Sequence, residues 1–348
     1  METHTSNRLN RTEAWTLIVQ SREDHWSTVG TLAHGQRLDR HGKTTTYVHN
    51  LHVNPSNICH AGCKVCRFGV SPGSSKGYVL GLPEILDRVA ESEPDEVHIV
   101  GGLNDMWNLA RSLELVGALR RCHPRMTIKG FTAVEIDWFA RNTELPVAVV
   151  LERLQKAGLD GLPGGGAELF SENIRKQLFP NKISSERWLQ IHETAHRLGL
   201  FSNATMLCGL GEGWMERIDH LLALRDLQDR TGGFTAFIPL TRQFSNPADS
   251  RSLSPLENLA IIAMSRLILD NISHIKSYWP MMGIETAAVG LSWGADDMDG
   301  VIGQERIAHA AGADTPAGLT PKALRAIIRG AGFDPVRRDG RFQLLKNY

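Results

Sequence analysis

Short apolar segments alternate along the chain with longer segments whose apolar residues recur at helical spacing. The short segments predict strands at 43–48 continuing through 51–53, and at 96–100, 126–130, 158–162, 201–207 and 235–239. The longer segments predict helices at 11–32, 83–90, 106–122, 146–157, 184–198, 214–231, 257–269 and 321–330. Regular alternation of strand and helix indicates an α/β fold with a parallel sheet, and this order favours a (β/α) barrel of the TIM type.

The division of the chain follows from the same pattern. The 348 residues suit one large barrel domain, since such barrels take about 250 residues and often more. We expect an N-terminal helical extension with a lead-in strand at 1–50, the barrel at 51–318, and a C-terminal extension at 319–348 that packs on the barrel. The C-terminal extension is predicted to contain a short helix and a terminal strand.

Composition narrows the class of protein. The chain has 38 basic and 38 acidic side chains, so no electrostatic footprint for nucleic acid or an anionic membrane is present. The longest apolar runs are far shorter than the ~20 residues that span a bilayer. The start, Met1-Glu2-Thr3-His4, lacks the charged and then apolar pattern of a signal peptide. These features predict an enzyme of the reducing cytoplasm.

Three of the five cysteines, Cys59, Cys63 and Cys66, lie within eight residues with the spacing C-x3-C-x2-C. Three thiolates can hold three irons of a [4Fe–4S] cube and leave the fourth iron open to a ligand that is not protein. A structural zinc site requires four ligands, and neither Cys122 nor Cys208 has a partner at metal spacing. A disulfide with a free thiol belongs to small secreted domains and receives little weight.

The motifs around the cysteines resemble those of radical S-adenosylmethionine (radical SAM) enzymes, in particular the aminofutalosine synthase family. The segments that carry the resemblance are 52–59 (HVNPSNIC), 100–103 (VGGL), 131–136 (FTAVEI), 162–168 (LPGGGAE), 203–206 (NATM) and 294–300 (GADDMDG). The resemblance extends from about residue 13 to about residue 338. It implies that Cys59, Cys63 and Cys66 hold a [4Fe–4S] cluster whose open iron binds S-adenosylmethionine, and that electron transfer yields a 5′-deoxyadenosyl radical.

The resemblance also implies a cofactor pocket. Its predicted residues are Gly101, Gly102, Glu135, Glu168, Asn203 and Thr205. Other interpretations stay open: the glycines as a simple turn, the glutamates as helix caps, and the two polar strand residues as satisfied core groups. A side chain at Gly102 is expected to weaken S-adenosylmethionine binding and to leave the iron content unchanged. The aspartates at 296, 297 and 299 lack a calcium-loop pattern and predict a structural or lumen-lining loop.

The chain departs from the family at three loop positions. Asn104, Leu210 and Gln243 stand where the family commonly has histidine, and Arg242 offers a guanidinium suited to a carboxylate. All four follow predicted strands, at the end of a barrel where substrates bind. We therefore expect them to line the acceptor pocket, with a loop arginine that binds no ligand as the alternative for Arg242.

Four functions are compatible with these features. The resemblance implies addition of the radical to the vinyl carbon of 3-[(1-carboxyvinyl)oxy]benzoate, in the futalosine route to menaquinone, with a reductant such as flavodoxin or ferredoxin. The departures favour, almost equally, a relative that uses another alkene in nucleoside natural-product biosynthesis. A hydrogen-abstracting radical enzyme and a non-catalytic iron–sulfur protein complete the set. Product analysis distinguishes them: an adduct, free 5′-deoxyadenosine, or no cleavage.

Overall fold

The computed structural model describes residues 8–244, 252–303 and 305–345, so the first four residues, on which the signal-peptide expectation rests, lie outside it. Helices of the described residues are α1 Arg11–Glu23, α2 Ser27–His41, α3 Leu82–Ser92, α4 Leu109–Cys122, α5 Ala133–Thr143, α6 Val147–Ala157, α7 Glu172–Leu178, α8 Ser185–Arg197, α9 Trp214–Thr231, α10 Pro255–Ile268, α11 Trp279–Met282, α12 Ile284–Gly290, α13 Ile307–Ala311 and α14 Pro321–Gly330. A 3₁₀ helix spans Leu291–Trp293. None of these helices combines the length and the apolar composition needed to cross a bilayer.

The strands belong to two parallel sheets. They are β1 Thr44–Val48, β2 Asn50–Val53, β3 Glu96–Ile99, β4 Thr127–Gly130, β5 Gly161–Leu162, β6 Phe201–Cys208, β7 Phe234–Thr241, β8 His274–Ile275, β9 Asp297–Gly300 and β10 Asp334–Arg337. Strands β2 to β8 are hydrogen-bonded in chain order, and β1 lies between β9 and β10. Strands of the larger sheet are buried on nearly all positions, because helices cover its outer face.

The larger sheet curls until one segment, 296–303, contacts both of its edges. The Ser277 N–H, just after β8, donates to the Asp297 carbonyl (2.8 Å), and the Gly303 N–H donates to the Asn50 carbonyl of β2 (3.2 Å). The predicted TIM-type barrel is confirmed, with seven strands among the described residues rather than eight. The carboxyl ends of β2 to β8 therefore meet at one mouth.

The helix predicted over 11–32 is wrong, because two helices occupy this region. His25 and Trp26 take positive φ angles of 55° and 68° between α1 and α2. The Asp24 carboxylate accepts a hydrogen bond from the Thr28 N–H (3.0 Å) and so starts the second helix. Similarly, the helix predicted from 106 begins at Leu109, where the Asn108 side chain accepts from the Arg111 N–H (3.1 Å).

The strand predicted at 43–48 does not lead directly into the cysteine loop. It forms β1 at the centre of the smaller sheet, and β2 precedes the cysteines instead. Two buried aspartates of the predicted acidic loop anchor this sheet and the barrel: Asp297 accepts two hydrogen bonds from Arg338 (2.5 and 3.0 Å), and Asp296 pairs with Arg266. Of the two roles predicted for this loop, structural or lumen-lining, Asp296 and Asp297 therefore have the structural one.

A buried histidine pair predicts acid sensitivity of the fold. The Ser202 hydroxyl of β6 contacts His192 Nδ1 (2.9 Å) and His196 Nε2 (2.7 Å), both from α8. Burial lowers the pKa of His196 to about 4 and holds that of His192 well below its usual value. The unfolded chain binds these protons at about pH 6.5, so the stability is present above that pH and is lost as the pH falls towards 4.

We expect the free energy of unfolding to fall by on the order of 1 kcal/mol for His196 alone between pH 7.5 and 5.5. Denaturant titration under nitrogen, followed by tryptophan fluorescence, measures it, because the Trp188 ring stacks on His192 (3.7 Å between centroids). His196→Gln should reduce the pH dependence, whereas His25→Gln, at an exposed position, should not. An unchanged slope in His196→Gln contradicts the assignment.

Candidate active site

Cys59, Cys63 and Cys66 lie in the loop that follows β2, at the mouth of the barrel. The base of this loop is closed by hydrogen bonds from the Cys59 N–H to the Val70 carbonyl (2.8 Å) and from the Val70 N–H to the Asn57 carbonyl (2.9 Å). All three cysteines line one cavity of about 310 Å³ inside the barrel. Cys122 and Cys208 are not among the described residues that line it.

The surroundings of the thiols suit a cluster. The N–H groups of Ala61 and Leu103 donate to Cys59 Sγ (3.4 Å each), and the Gly69 N–H donates to Cys66 Sγ (3.3 Å). A Cβ on Gly69 would lie 3.3 Å from the Cβ of Cys59 and 3.5 Å from Cys66 Sγ, so glycine avoids a tight contact beside the thiols. Burial raises the pKa of the Cys63 thiol to about 11, against the opposing charge of Lys182. Metal binding must therefore displace the proton from Cys63.

Gly101 and Gly102 follow β3 and pack against the cysteine loop. The Gly102 N–H donates to the Ser56 carbonyl (2.8 Å). A Cβ on Gly102 would overlap the Ile58 carbonyl oxygen and lie 2.7 Å from its carbon, whereas one on Gly101 would lie 3.4 Å from the nearest oxygen. The second glycine is therefore required by the close approach of two backbones.

Glu135 combines a capping role with a place on the cavity wall. Its carboxylate accepts from the Thr132 N–H (2.7 Å) and hydroxyl (2.8 Å) at the start of α5, and from the Gly101 N–H (3.0 Å). Burial raises its pKa to about 7, against these hydrogen bonds, which lower it. The helix-cap interpretation is thus correct, and the same carboxylate also fixes the glycine turn.

Asn203 and Thr205 lie on β6 and both line the cavity. The Thr205 hydroxyl donates to the Gly164 carbonyl (2.6 Å), and the Asn203 side-chain oxygen accepts from the Thr235 hydroxyl (3.1 Å). A Cβ on Gly164 would lie 2.8 Å from the Asn203 carbonyl oxygen, so the turn 164–166 packs directly on β6. The Asn203 amide nitrogen has no hydrogen-bond acceptor among the described residues, so it can serve a ligand in the cavity.

Glu168 lines the cavity and forms an ion pair with Lys182. Lys182 was not among the residues predicted from the sequence. Burial alone would lower the pKa of Lys182, but the charge of the Glu168 carboxylate opposes this and raises the pKa. Lys182 therefore stays charged beside the cysteine loop. It lies between α7 and α8, where no motif distinguishes it from a surface lysine.

Arg242 and Gln243 follow β7 and line the cavity. The Arg242 guanidinium lies over the Phe244 ring, 4.5 Å from its centroid. Gln243 Nε2 donates to the carbonyls of Thr241 (2.7 Å) and Met281 (2.8 Å). The side-chain oxygen of Gln243 is therefore the group that a ligand can use.

Comparisons with known proteins agree with this geometry. The profile of the Radical SAM superfamily matches residues 53–224, and that of the CofH/MqnC C-terminal region matches residues 231–347. Aminodeoxyfutalosine synthase of Thermus thermophilus is 42% identical, covering 92% of this chain and 88% of the relative. The chain belongs to the radical SAM superfamily. The resemblance inferred from the motifs is confirmed.

Other members of the superfamily are also similar. Cyclic dehypoxanthine futalosine synthase of Streptomyces coelicolor is 36% identical, covering 91% of this chain and 81% of the relative. The crystal structure of methylornithine synthase (PylB) superposes with a TM-score of 0.73 at 17% identity, covering 95% of both chains. This structural likeness supports the radical SAM fold alone.

Two of the predicted acceptor residues do not line the cavity of this radical SAM protein, and the prediction is corrected for them. Asn104 is buried, donates to the carbonyls of Ile58 (3.1 Å) and Gly102 (2.9 Å), and accepts from the Trp107 N–H (3.1 Å). Leu210 packs in the hydrophobic core. The conformation of its loop is fixed by the Glu212 carboxylate, which accepts hydrogen bonds from the N–H groups of Gly209 (2.9 Å) and Leu210 (2.7 Å).

Sequence reasoning also missed the polar inner end of the radical SAM cavity. The residues concerned are His52, His98, Lys276, Tyr278, Asp299 and Glu305. His52 lies within a motif and His98 two residues before another, and each has an apolar residue on both sides in its strand, which was a usable signal. Lys276 and Tyr278 follow the two-residue strand β8, which is too short to leave a periodic pattern.

Proposed function

We propose that this chain is an aminodeoxyfutalosine synthase. It cleaves S-adenosylmethionine reductively and adds the 5′-deoxyadenosyl radical to the vinyl carbon of 3-[(1-carboxyvinyl)oxy]benzoate. The adduct rearranges by aryl migration, loses its carboxylate, and leaves methionine as co-product. The observation that carries the proposal is the convergence of the cysteine triad and both glycine turns on one cavity, in a chain that is similar to such a synthase along most of its length.

The residues of the cavity divide into a cluster site and a cofactor pocket. Cys59, Cys63 and Cys66 would hold a [4Fe–4S] cluster, which would supply the electron for cleavage of the sulfonium. The carbonyl groups of Gly101 and Gly102 bind the amino group of S-adenosylmethionine, because Leu103 replaces the glutamate common in other members. Glu135 acts by holding Gly101 in place.

The far wall of the cofactor pocket is formed by polar groups on and before β6. Asn203 offers its amide nitrogen to the ribose, and Thr205 fixes the turn at Gly164. Glu168 and Lys182 together present one acceptor and one cation next to the cysteine loop. These residues position the nucleoside so that C5′ faces the interior of the barrel.

The alternative function, with a different alkene, depends on the three positions that lack histidine. Asn104 and Leu210 lie outside the cavity wall, so their identity cannot select the acceptor directly. Only Gln243 remains of the three, with Arg242 beside it. The enolpyruvyl benzoate is therefore the favoured acceptor.

The decisive experiment is anaerobic incubation of the reconstituted protein with S-adenosylmethionine, dithionite and the enolpyruvyl benzoate, followed by mass spectrometry. Aminodeoxyfutalosine and methionine in equal amounts support the proposal. Free 5′-deoxyadenosine with unchanged acceptor indicates a hydrogen-abstracting enzyme instead. Cleavage that produces an adduct only with another alkene supports the alternative acceptor.

We predict that Arg242→Ala raises the KM for the acceptor by about ten- to a hundredfold, as expected when one charge-assisted hydrogen bond is lost. Reductive cleavage of S-adenosylmethionine without acceptor should continue at its normal rate. Arg197→Ala, which removes an exposed arginine from the surface, is the matched control. An unchanged KM in Arg242→Ala would show that this arginine does not bind the acceptor.

The proposed function also implies a reductant and a cellular compartment for the enzyme. The physiological reductant is a low-potential carrier such as flavodoxin or ferredoxin, which must approach the exposed side of the cluster at Cys66. Balanced charge gives no reason to expect nucleic acid as a partner. We place the reaction in the cytoplasm, where reducing conditions preserve the cluster.

A further inference from the structure

The inner polar end of the cavity has no role in the chemistry described so far. It is formed by His52, His98, Lys276, Tyr278, Asp299 and Glu305. Strands β2 and β3 run towards the cysteine loop and the glycine turn, and each histidine comes before the end of its strand. The two histidines therefore lie deeper in the barrel than Gly101 and the cluster site.

The two acidic groups of the inner polar end are already committed to other partners. Asp299 forms an ion pair with Lys276, and both side chains are almost fully buried. The Glu305 carboxylate accepts from the N–H groups of Ile307 (3.1 Å) and Ala308 (2.8 Å) at the start of α13. Neither carboxylate needs a cation from a ligand.

The three other groups have no partner within the described part of the chain. No described residue hydrogen-bonds to the Tyr278 hydroxyl or to a ring nitrogen of His52 or His98, and Nε2 of His52 is fully buried. The two imidazole rings lie 4.8 Å apart between centroids. A buried polar group without a partner costs about 1–3 kcal/mol, and His52 Nε2 is such a group. His98 and Tyr278 line the same cavity, so the three side chains together can receive a polar ligand.

The unpartnered groups are neutral donors at neutral pH. Burial lowers the pKa of both histidines, with Lys129 adding to the effect and Asp299 opposing it; for His52, Glu305 and Glu96 oppose it as well. Burial raises the pKa of Tyr278, so its hydroxyl keeps its proton. Two imidazole N–H groups, one phenol and the Lys276 ammonium group thus surround the same space.

We propose that the inner polar end binds the carboxylate on the aromatic ring of the acceptor, the one remote from the alkene. The inference rests on the proposed function and adds the orientation of the substrate. The cavity wall also includes apolar side chains such as Val100, Leu207 and Ile238, which suit a benzene ring. With the ring carboxylate held deep in the barrel, the vinyl carbon points towards the glycine turn and C5′.

The charges of the inner polar end require a proton when this anion binds. Lys276 is paired with Asp299, and Lys129 is paired with Glu96. Glu305 contacts His309 Nδ1 (3.2 Å) and lies near His52 and Tyr278, so its charge disfavours an anion there. A carboxylate placed beside His52 and His98 raises the pKa of both rings. Binding is therefore expected to draw protons onto the histidine pair.

The test uses two saturated ethers that cannot accept the radical. They are 3-(1-carboxyethoxy)benzoate and 2-phenoxypropanoate, which differ only in the ring carboxylate. Calorimetric titration into the holoenzyme with S-adenosylmethionine and without reductant measures both affinities. We expect the wild type to bind the dicarboxylate at least about tenfold more tightly, and titrations in phosphate and Tris to show proton uptake for it alone.

Two variants locate the subsite. Tyr278→Phe and His98→Gln should each lower the affinity ratio of the two ethers by about fivefold or more and leave binding of 2-phenoxypropanoate unchanged. Tyr47→Phe is the matched control, because its hydroxyl contacts Arg325 outside the cavity. Equal binding of both ethers by the wild type, or equal weakening of both in the variants, overturns the inference.

The outcomes separate this inference from the proposed function. If aminodeoxyfutalosine forms but neither variant changes the affinity ratio, the proposed carboxylate subsite is wrong and the proposed synthase activity stands. If the wild type shows the expected affinity ratio and the variants lose it, but no adduct forms from the enolpyruvyl benzoate, the subsite for an aromatic carboxylate stands. The proposed synthase activity is then wrong.

Discussion

Cys63→Ala should yield a protein that lacks the brown cluster absorbance after anaerobic reconstitution and releases no methionine from S-adenosylmethionine. The three thiols line one cavity, and within the described residues Cys122 and Cys208 are absent from its wall. Removing one of three ligands leaves two irons of the cube without a protein ligand instead of one. We expect activity to fall below detection, because no cleavage can occur without the cluster.

The control for this experiment is Cys122→Ala, which removes an exposed thiol at the end of α4. Its absorbance, iron content and methionine release should equal those of the wild type. Cys208 is buried, and burial raises the pKa of its thiol to about 12, which opposes metal binding. Loss of the cluster in Cys208→Ala, together with its retention in Cys63→Ala, contradicts the assignment.

The long helices and the barrel class were predictable because their periodicity is strong. The helices at 214–231 and 321–330 match α9 and α14 residue for residue. The break at His25 was not predictable, because the apolar spacing continues across it while two residues change to positive φ. Strands β5 and β8 have two residues each, so their place in the sheet depends on neighbouring strands rather than on local pattern.

The candidate site shows the same division between local and long-range information. The cysteine triad was visible because its members are close in sequence. The ion pairs of Glu168 with Lys182 and of Asp299 with Lys276 join residues 14 and 23 positions apart, and no pattern links them. Asn104 and Leu210 follow strands, so the sequence predicts that they line the acceptor pocket. Local hydrogen bonds instead fold their loops so that neither side chain lines the cavity.

The structure corrects one expectation about the glycine turn and replaces it with a stronger prediction. From the sequence, a side chain at Gly102 affects S-adenosylmethionine binding only. A Cβ there would lie 2.7 Å from the Ile58 carbonyl carbon and 3.0 Å from the Cβ of Cys59. Any side chain must therefore displace the backbone that carries the first cluster ligand.

Gly102→Val should consequently lose more than about half of its iron as well as its affinity for S-adenosylmethionine, since overpacking of this kind costs about 1–3 kcal/mol or moves the backbone. Gly102→Ala should show the same effects to a smaller extent. In Gly101→Ala the added Cβ lies 3.4 Å from the Ser56 carbonyl oxygen, an ordinary contact, so this variant should retain its iron. Iron analysis and calorimetric titration with S-adenosylmethionine measure the two effects separately. Full iron content in Gly102→Val would show that the cysteine loop can move without loss of the cluster. The close approach of Gly102 to Ile58 would then not position the cluster.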